Sequence, residues 1–314
     1  MSSFRLILRS LTHYWRTNLA LVLGVIVGTA VIGGALIVGD SVRDSLRDMT
    51  LKRLGRIDFA LHSPRFFRQQ LATDLQKQHH RVSGGGHKFV PAIWVNGSVE
   101  SKSGETTRRV TNANVVGLNE QLWELLDHGD TRQPAEREVV LGARVAADLG
   151  VEVGDDISLW VEIPASVPRE TLLGERDEVA QEVAATVSAV LKDTDGASRL
   201  DLRPGQQLPM TVYVDLTFLQ EQVGLDEVRA SRRNPVGSPA RINAVFAAMK
   251  PGVFESVESP TDLQVTQLLS ASNDTFQAFM RPADLALRVR PDSERGYLSF
   301  ESDTMVLDLS LIHI

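Results

Sequence analysis

Residues Leu19 to Gly39 read LALVLGVIVGTAVIGGALIVG, 21 positions without a charged side chain. As a helix, at roughly 1.5 Å per residue, this run spans about 30 Å, the thickness of a bilayer's hydrocarbon core. No other segment of the chain has this character. One membrane crossing near the N-terminus and a large water-soluble remainder are therefore expected. A cleaved signal peptide would have an apolar core of about 7–15 residues and a small-x-small site after it. Here the run is longer, and Asp40-Ser41-Val42-Arg43 offers no such site.

The flanks orient the span. Arg5, Arg9 and Arg16 precede it with no acidic residue, and the first acid is Asp40. Positive residues stay on the cytoplasmic side, so the N-terminus is expected inside and the main domain outside the inner (plasma) membrane. Residues 1–18 place Phe4, Ile7, Leu8, Leu11, Tyr14 and Trp15 on one helical face and Arg5, Arg9 and Arg16 on the other. That spacing suits a helix lying in the membrane interface, in contact with lipid head groups. Inside the span, Ala20, Gly24 and Gly28 recur every four residues, a small-residue face that lets another membrane helix approach. Beyond it, DSVRDSLRDMTLKRLG keeps a helical rhythm, with Val42, Leu46 and Met49 on an apolar stripe and Gly55 as C-cap. Residues 40–55 thus read as a stalk continuous with the membrane helix.

Composition narrows the classes. A chain of 314 residues has room for one large or two ordinary domains beside the anchor. The net charge of −7, with no long basic tract, gives no footprint for nucleic acid. The absence of cysteine removes disulfides and thiolate metal sites. Aromatics are only 6%, so a core rich in Val, Ala and Leu is expected.

From Ile57 the pattern shifts to short segments. Strands are expected at 57–61, 88–99, 108–118, 138–141, 157–161, 183–191, 211–214, 242–247, 285–289 and 297–301. Helices are expected at 64–77 (started by Ser63 and Pro64), 143–149, 218–223 and 263–279. SKSGE at 101–105 reads as a hairpin turn, and residues 78–86 and 193–205 as loops. Gly154 supplies backbone freedom at the turn before the 157–161 strand, and Asp155 can cap it. Strands and helices mix without strict alternation, which points to an α+β fold for residues 56–308, with room for two subdomains.

Several stretches resemble the permease subunits of the MacB/FtsX-type ABC transporters, including the lipoprotein-release permeases. One is the basic N-terminal segment, the membrane helix and GDSVRDSLRDMTLKRLGRIDF. A second is EVVLGARVAADLGVEVGDDISL, residues 138 to 159, in which Val139-Val140-Leu141, Ala146, Leu149-Gly150 and Gly154-Asp155 fill the family's places. MTVYVDLTFLQEQVG at 210–224 and NVVGLNEQLWEL at 114–125 are also similar. The resemblance implies a fold of the MacB periplasmic-core type and a dimer with a second permease copy. It also implies a cytoplasmic ABC ATPase that binds the ATP, and a role in passing ATPase-driven motion outward. It further implies more membrane helices than the one seen, so the chain is read as an N-terminal fragment. Leu309 to Ile314 are read as a non-native tail, because they back-translate to a string like the transposon end of sequencing adaptors.

Chemistry is sparse. No phosphate-cradling Gly-x-x-x-x-Gly-Lys-Ser/Thr and no Gly-x-Ser-x-Gly occurs. His79, His80 and His87 read as a loop cluster, and Asp193-Thr194-Asp195-Gly196 as a polar turn lacking the distal Glu of a calcium loop. The chain is therefore expected to be a non-catalytic subunit without catalytic, metal or cofactor residues of its own. A single-pass anchored binding or scaffold protein is the alternative.

The topology is testable. A reporter active only outside the cytoplasm, fused at Gly55, should be active, and a cytoplasmic one silent. The reverse pattern would overturn the orientation.

Overall fold

The computed structural model describes residues 9, 12–83, 87–103, 106–162, 180–202, 208–230, 237–249, 276–285, 287–292 and 296–302. The chain divides into two compact units, Met1–Lys52 and Arg53–Ile314. The expected interfacial helix over 1–18, most of the 263–279 helix and the 309–314 tail lie largely or wholly outside the described residues.

The first unit is built on helix α1, Trp15–Leu54, whose last two residues belong to the second unit. The stretch Trp15–Leu46 is long and apolar enough to cross a membrane, with a mean hydropathy of 2.6 in its most apolar window, none of which is buried. Apolar side chains cover it on every side, Leu21, Ile26, Val31, Ile32 and Ile37 among them. A helix apolar all round, with no protein packed on it, is suited to lipid. Its one hydroxyl in the apolar run, Thr29, donates back to the Val25 carbonyl at 2.8 Å and so leaves no free polar group there. The helix continues without a break through the expected stalk.

The second unit is organised by one long strand. The strands are β1 (Phe59–Arg68), β2 (His87–Ser103), β3 (Thr106–Leu118), β4 (Glu138–Leu141), β5 (Asp156–Glu162), β6 (Ala180–Val190), β7 (Thr211–Asp215), β8 (Arg241–Met249), β9 (Leu287–Asp292) and β10 (Tyr297–Ser302). Between them lie α2 (Gln70–Ser83), α3 (Glu120–Trp123), α4 (Ala143–Leu149) and α5 (Leu216–Val223). The first eight strands form one mixed sheet in the order β1-β8-β2-β3-β7-β4-β6-β5, and β5 pairs back onto β2. Six strands, β2, β3, β7, β4, β6 and β5, thereby close into a barrel, and β8 and β1 extend from it as a flap. Strand β2 makes both possible. Along one edge it pairs with β3, whereas along the other it pairs with β8 over 87–92 and with β5 over 97–101.

The changeover at residues 93–96 needs local repair, because a buried strand edge without partners leaves its amides unsatisfied. Asn243, 2% exposed on β8, supplies it: its Oδ1 accepts from the Trp94 N–H at 2.7 Å and its Nδ2 donates to the Trp94 carbonyl at 2.8 Å. Gly97 marks where β5 arrives. A Cβ there would stand 2.6 Å from the Trp160 carbonyl oxygen, so only glycine admits the approach.

Two cores result. The barrel interior holds Val95, Val99, Val115, Val139, Leu141, Leu159, Val183, Val187, Val212 and Val214, joined by residues of α2, α4 and α5. The outer core holds Trp94, Val116, Leu122, Trp123, Leu125, Val140, Tyr213 and Phe246, covered by α3 and the 197–200 turn. The expected Val- and Leu-rich packing is thus found inside the barrel, and the buried Trp94, Trp123 and Tyr213 lie outside it, whereas Phe67 and Phe218 join the first core. α+β is the observed class.

Three expectations are corrected. The 64–77 helix is instead strand to Arg68, and α2 begins at Gln70. Ser63 and Pro64 lie in an irregularity between His62 and Phe67 on edge strand β1, where the Ser63 hydroxyl accepts from the Arg65 N–H. Proline is tolerated on such an edge, so it marks a bulge here and no helix start. The loop expected at 78–86 is helical through Ser83, which puts His79 and His80 in α2 and His87 at the start of β2. The 193–205 loop is only partly polar, because Ala197, Ser198 and Leu200 are buried and carry a 3-10 turn.

Replacing Asn243 by Leu should cost about 1–3 kcal/mol, since it strands two buried backbone groups. Chemical denaturation measures this, and an unchanged midpoint would remove Asn243 from its structural role.

Candidate functional site at the Gly55 corner

α1 ends at Leu54, and the chain turns into β1 over four residues, all within the second unit. Gly55 has φ +60°, the left-handed C-terminal cap expected from the sequence. A Cβ on it would lie 2.6 Å from the Leu125 carbonyl oxygen and 3.2 Å from the Asp127 nitrogen. Two independent constraints, backbone hand and space, therefore demand glycine. Around it, the Ile57 N–H donates to the Leu54 carbonyl at 3.1 Å, that of Arg56 to Leu125 at 2.8 Å, and that of Asp58 to Ala247 on β8 at 2.9 Å. Ile57 is buried in the outer core, and Leu54 packs on it.

The platform under this corner is the turn that continues α3. Asn119 caps α3, its Oδ1 accepting from the Leu122 N–H at 3.1 Å, and i→i+3 bonds from Leu125 and Leu126 carry the chain on. Trp123 pins the turn. Its indole N–H donates to the Thr131 carbonyl at 3.1 Å, its ring stacks on His128 at 4.9 Å, and it meets Tyr213 edge-on at 5.4 Å. Such ring pairs add to burial. Tyr213 is fully buried and burial pushes its phenol well above the ordinary range, so it stays a neutral donor, to the Ala197 carbonyl at 2.6 Å. Asp127 closes the circuit: its carbonyl accepts from the Ala197 N–H at 2.8 Å, and its carboxylate faces the Gly196 N–H at 3.4 Å. The corner is thus seated on a turn and a loop that are bonded to each other and to β7. It is a glycine-capped turn braced by backbone hydrogen bonds to Leu125 and Ala247.

The residues singled out from the sequence fall in different places. Ala20, Gly24 and Gly28 lie on α1 in the first unit, with open space where a Cβ on either glycine would stand. Val42 and Leu46 are exposed on the same helix, and Met49 is in it. Gly154 and Asp155 form the turn before β5 in the second unit. Gly154 has φ +101°, and the Asp155 carboxylate accepts from the Glu152 N–H at 2.8 Å. The Asp193–Gly196 segment is a turn in which the Asp195 carboxylate accepts from the Lys192 N–H at 3.0 Å. Among the described residues, no three His, Asp or Glu side chains gather as a metal site. Sequence reading marked Gly55 as a cap only; the partner that makes it irreplaceable, Leu125, is 70 positions away and leaves no local trace.

The family described as MacB-like periplasmic core domain matches residues 19–278. The chain belongs to this family. Its members are components of ABC transporter permeases, which work with cytoplasmic ABC ATPases and are generally non-catalytic. One N-terminal helix able to span a membrane and a periplasmic-type domain together describe a membrane-anchored extracytoplasmic domain. Three solved structures are similar, each at 12% identity and a TM-score of 0.36. They are the periplasmic region of MacB from Actinobacillus actinomycetemcomitans (81% of this chain, 92% of that one), the extracellular domain of the noncanonic ABC-type transporter YknZ from Gram-positive bacteria (68% and 93%), and a domain of a putative permease protein from Porphyromonas gingivalis (83% and 95%). A search of curated proteins found no match.

Gly55→Ala should destabilise the second unit by about 2 kcal/mol or more, combining the left-handed penalty with displacement of the Leu125 carbonyl. Thermal unfolding reads the loss. Amide exchange at Arg56 and Asp58 should rise first, and full protection there would show that the corner tolerates a side chain.

Proposed function

We propose that the chain is the permease subunit, or the N-terminal part of one, of an ABC transporter in which ATPase-driven motion is delivered to an extracytoplasmic domain. It handles an exported or lipoprotein-like envelope substrate. The observation that carries the reading is the Gly55 corner. A connection meant only as a tether needs no fixed hand, no excluded Cβ and no bonded platform; a connection that must pass displacement does. Family membership over residues 19–278 supports the same reading.

In this scheme α1 spans the inner membrane with Arg5, Arg9 and Arg16 on the cytoplasmic side. Ala20, Gly24 and Gly28 face another membrane helix, that of a second permease copy. Residues 40–54, with Val42, Leu46 and Met49, act as the stalk. ATP is bound by the partner ATPase, and this subunit performs no bond chemistry itself.

The test uses the complete transporter in proteoliposomes. Inserting two glycines between Leu54 and Gly55 should abolish transport while ATP hydrolysis persists, because the motor still turns but the corner is slack. Leu46→Asp should act in the same direction by placing a charge on the stalk's apolar stripe. Transport at the unmodified rate in the insertion variant would refute transmission through this corner.

A further inference from the structure

We propose that the described elements between Phe276 and Ser302 form a strap that leaves the barrel without unfolding it, and that the Arg68–Asp284 pair is its catch.

The strap is topologically separate. Among the described residues, strands β9 and β10 pair with each other and with no strand of the eight-stranded sheet. Among the described residues it is seated by a helical turn at 276–279 that lays Phe276 and Phe279, both partly buried, against the first core, and by a 3-10 turn at Pro282–Leu285 against β1. The 3-10 turn carries a buried ion pair, Asp284 with Arg68, flanked by the partly exposed Asp74 and the exposed Arg281. Asp284 is 5% exposed and Arg68, at the end of β1, 8%. The Asp284 carboxylate accepts from Arg68 Nε and Nη2, both at 2.7 Å, from the Arg68 backbone N–H at 3.1 Å and from the Arg281 N–H at 2.8 Å. The fork geometry and the full set of acceptors make this a strong, directional contact. Its hydrogen bond to Asp284 outweighs desolvation and holds the Arg68 guanidinium charged.

The decisive feature is the fourth member. Asp74 on α2 lies 3.7 Å from Arg68 Nη1 and 3.9 Å from Arg281 Nη2. It is shared between the fixed side, Arg68, and the strap side, Arg281. When the strap departs, Arg68 keeps a carboxylate partner and Asp284 goes to water, so neither charge is stranded. A buried pair broken within a closed core strands a charge and is strongly opposed; here the stationary half has a ready alternative. Contacts of this kind have two discrete states, which is what a catch requires. In a protein that acts through motion, such a strap gives the barrel a second, separately controlled part.

Native-state hydrogen exchange on the full chain in detergent tests this. In increasing denaturant, the amides of Met280 and Arg68, bonded to Phe276 and Asp284, should lose protection well before Val187 and Leu191 of the barrel, bonded to Asp155 and Leu141. Asp284→Asn should raise strap exchange about tenfold or more and leave the barrel amides unchanged. The chain has no cysteine, so an Asp74→Cys/Arg281→Cys pair added to the Asp284→Asn variant and joined by a short bis-maleimide should restore strap protection. Strap and barrel amides exchanging together in the unmodified chain would overturn the proposal, and that arm stands even where the Asp284→Asn variant fails to fold. Unchanged strap exchange in a folded Asp284→Asn variant would equally dismiss the catch.

Discussion

A strand that serves two sheets must change partners along one edge, and the whole of the second unit depends on how β2 does so. The ladder to β8 ends at Ala92 and the ladder to β5 begins at Gly97. Between them the Asn243 amide imitates a peptide group, offering one acceptor and one donor to Trp94. Asn243 thereby lets a strand leave a sheet without exposing the edge it vacates. The missing Cβ of Gly97 then lets the incoming strand close the barrel. The branch needs both: an imitation ladder where one neighbour departs, and empty space where the next arrives.

The branch also sorts the apolar residues. Alternation along β2 sends Ile93, Val95 and Val99 inward and Val90, Ala92 and Trp94 outward. Branched aliphatic side chains fill the narrow barrel, where shape is restricted. The indole rings of Trp94 and Trp123 and the Tyr213 phenol fill the outer layer, alongside α3 and the 197–200 turn. The Gly55 corner belongs to this outer layer. Its bonded contacts lead to β7 and β8, through Tyr213 and the Asp58–Ala247 bond, from outside the barrel.

Sequence reading succeeded where punctuation was local. Glu138–Leu141 and Ala143–Leu149 were legible to the residue, because Gly142 and Gly150 bracket the helix and Gly154 turns the chain into the next strand. The membrane helix and the Gly55 cap were legible for the same reason. Reading failed where the deciding partner is distant. Ser63-Pro64 carries a helix-start pattern, but pairing with β8, some 180 positions on, holds it as strand. Polar neighbours concealed Ala197 and Leu200, whose burial is set by Tyr213 and α3. The Arg68–Asp284 pair spans 216 positions and joins two commonplace charged residues that nothing in the local sequence sets apart. Asn243, inside an apolar run, was passed over by the sequence reading, although a polar residue in a buried strand announces a specific partner without naming it.

Strand β1 is the outer strand of the flap, with β8 as its one sheet neighbour among the described residues. A strand edge with one sheet neighbour could template the same strand in another molecule, the first step toward fibrillar association. Pro64 has no amide hydrogen to offer such a neighbour, and the irregularity between His62 and Phe67 breaks the straight register that stacking needs. The proline that misleads a local reading is therefore a safeguard of solubility, protecting the molecule from its own kind wherever copies are crowded side by side.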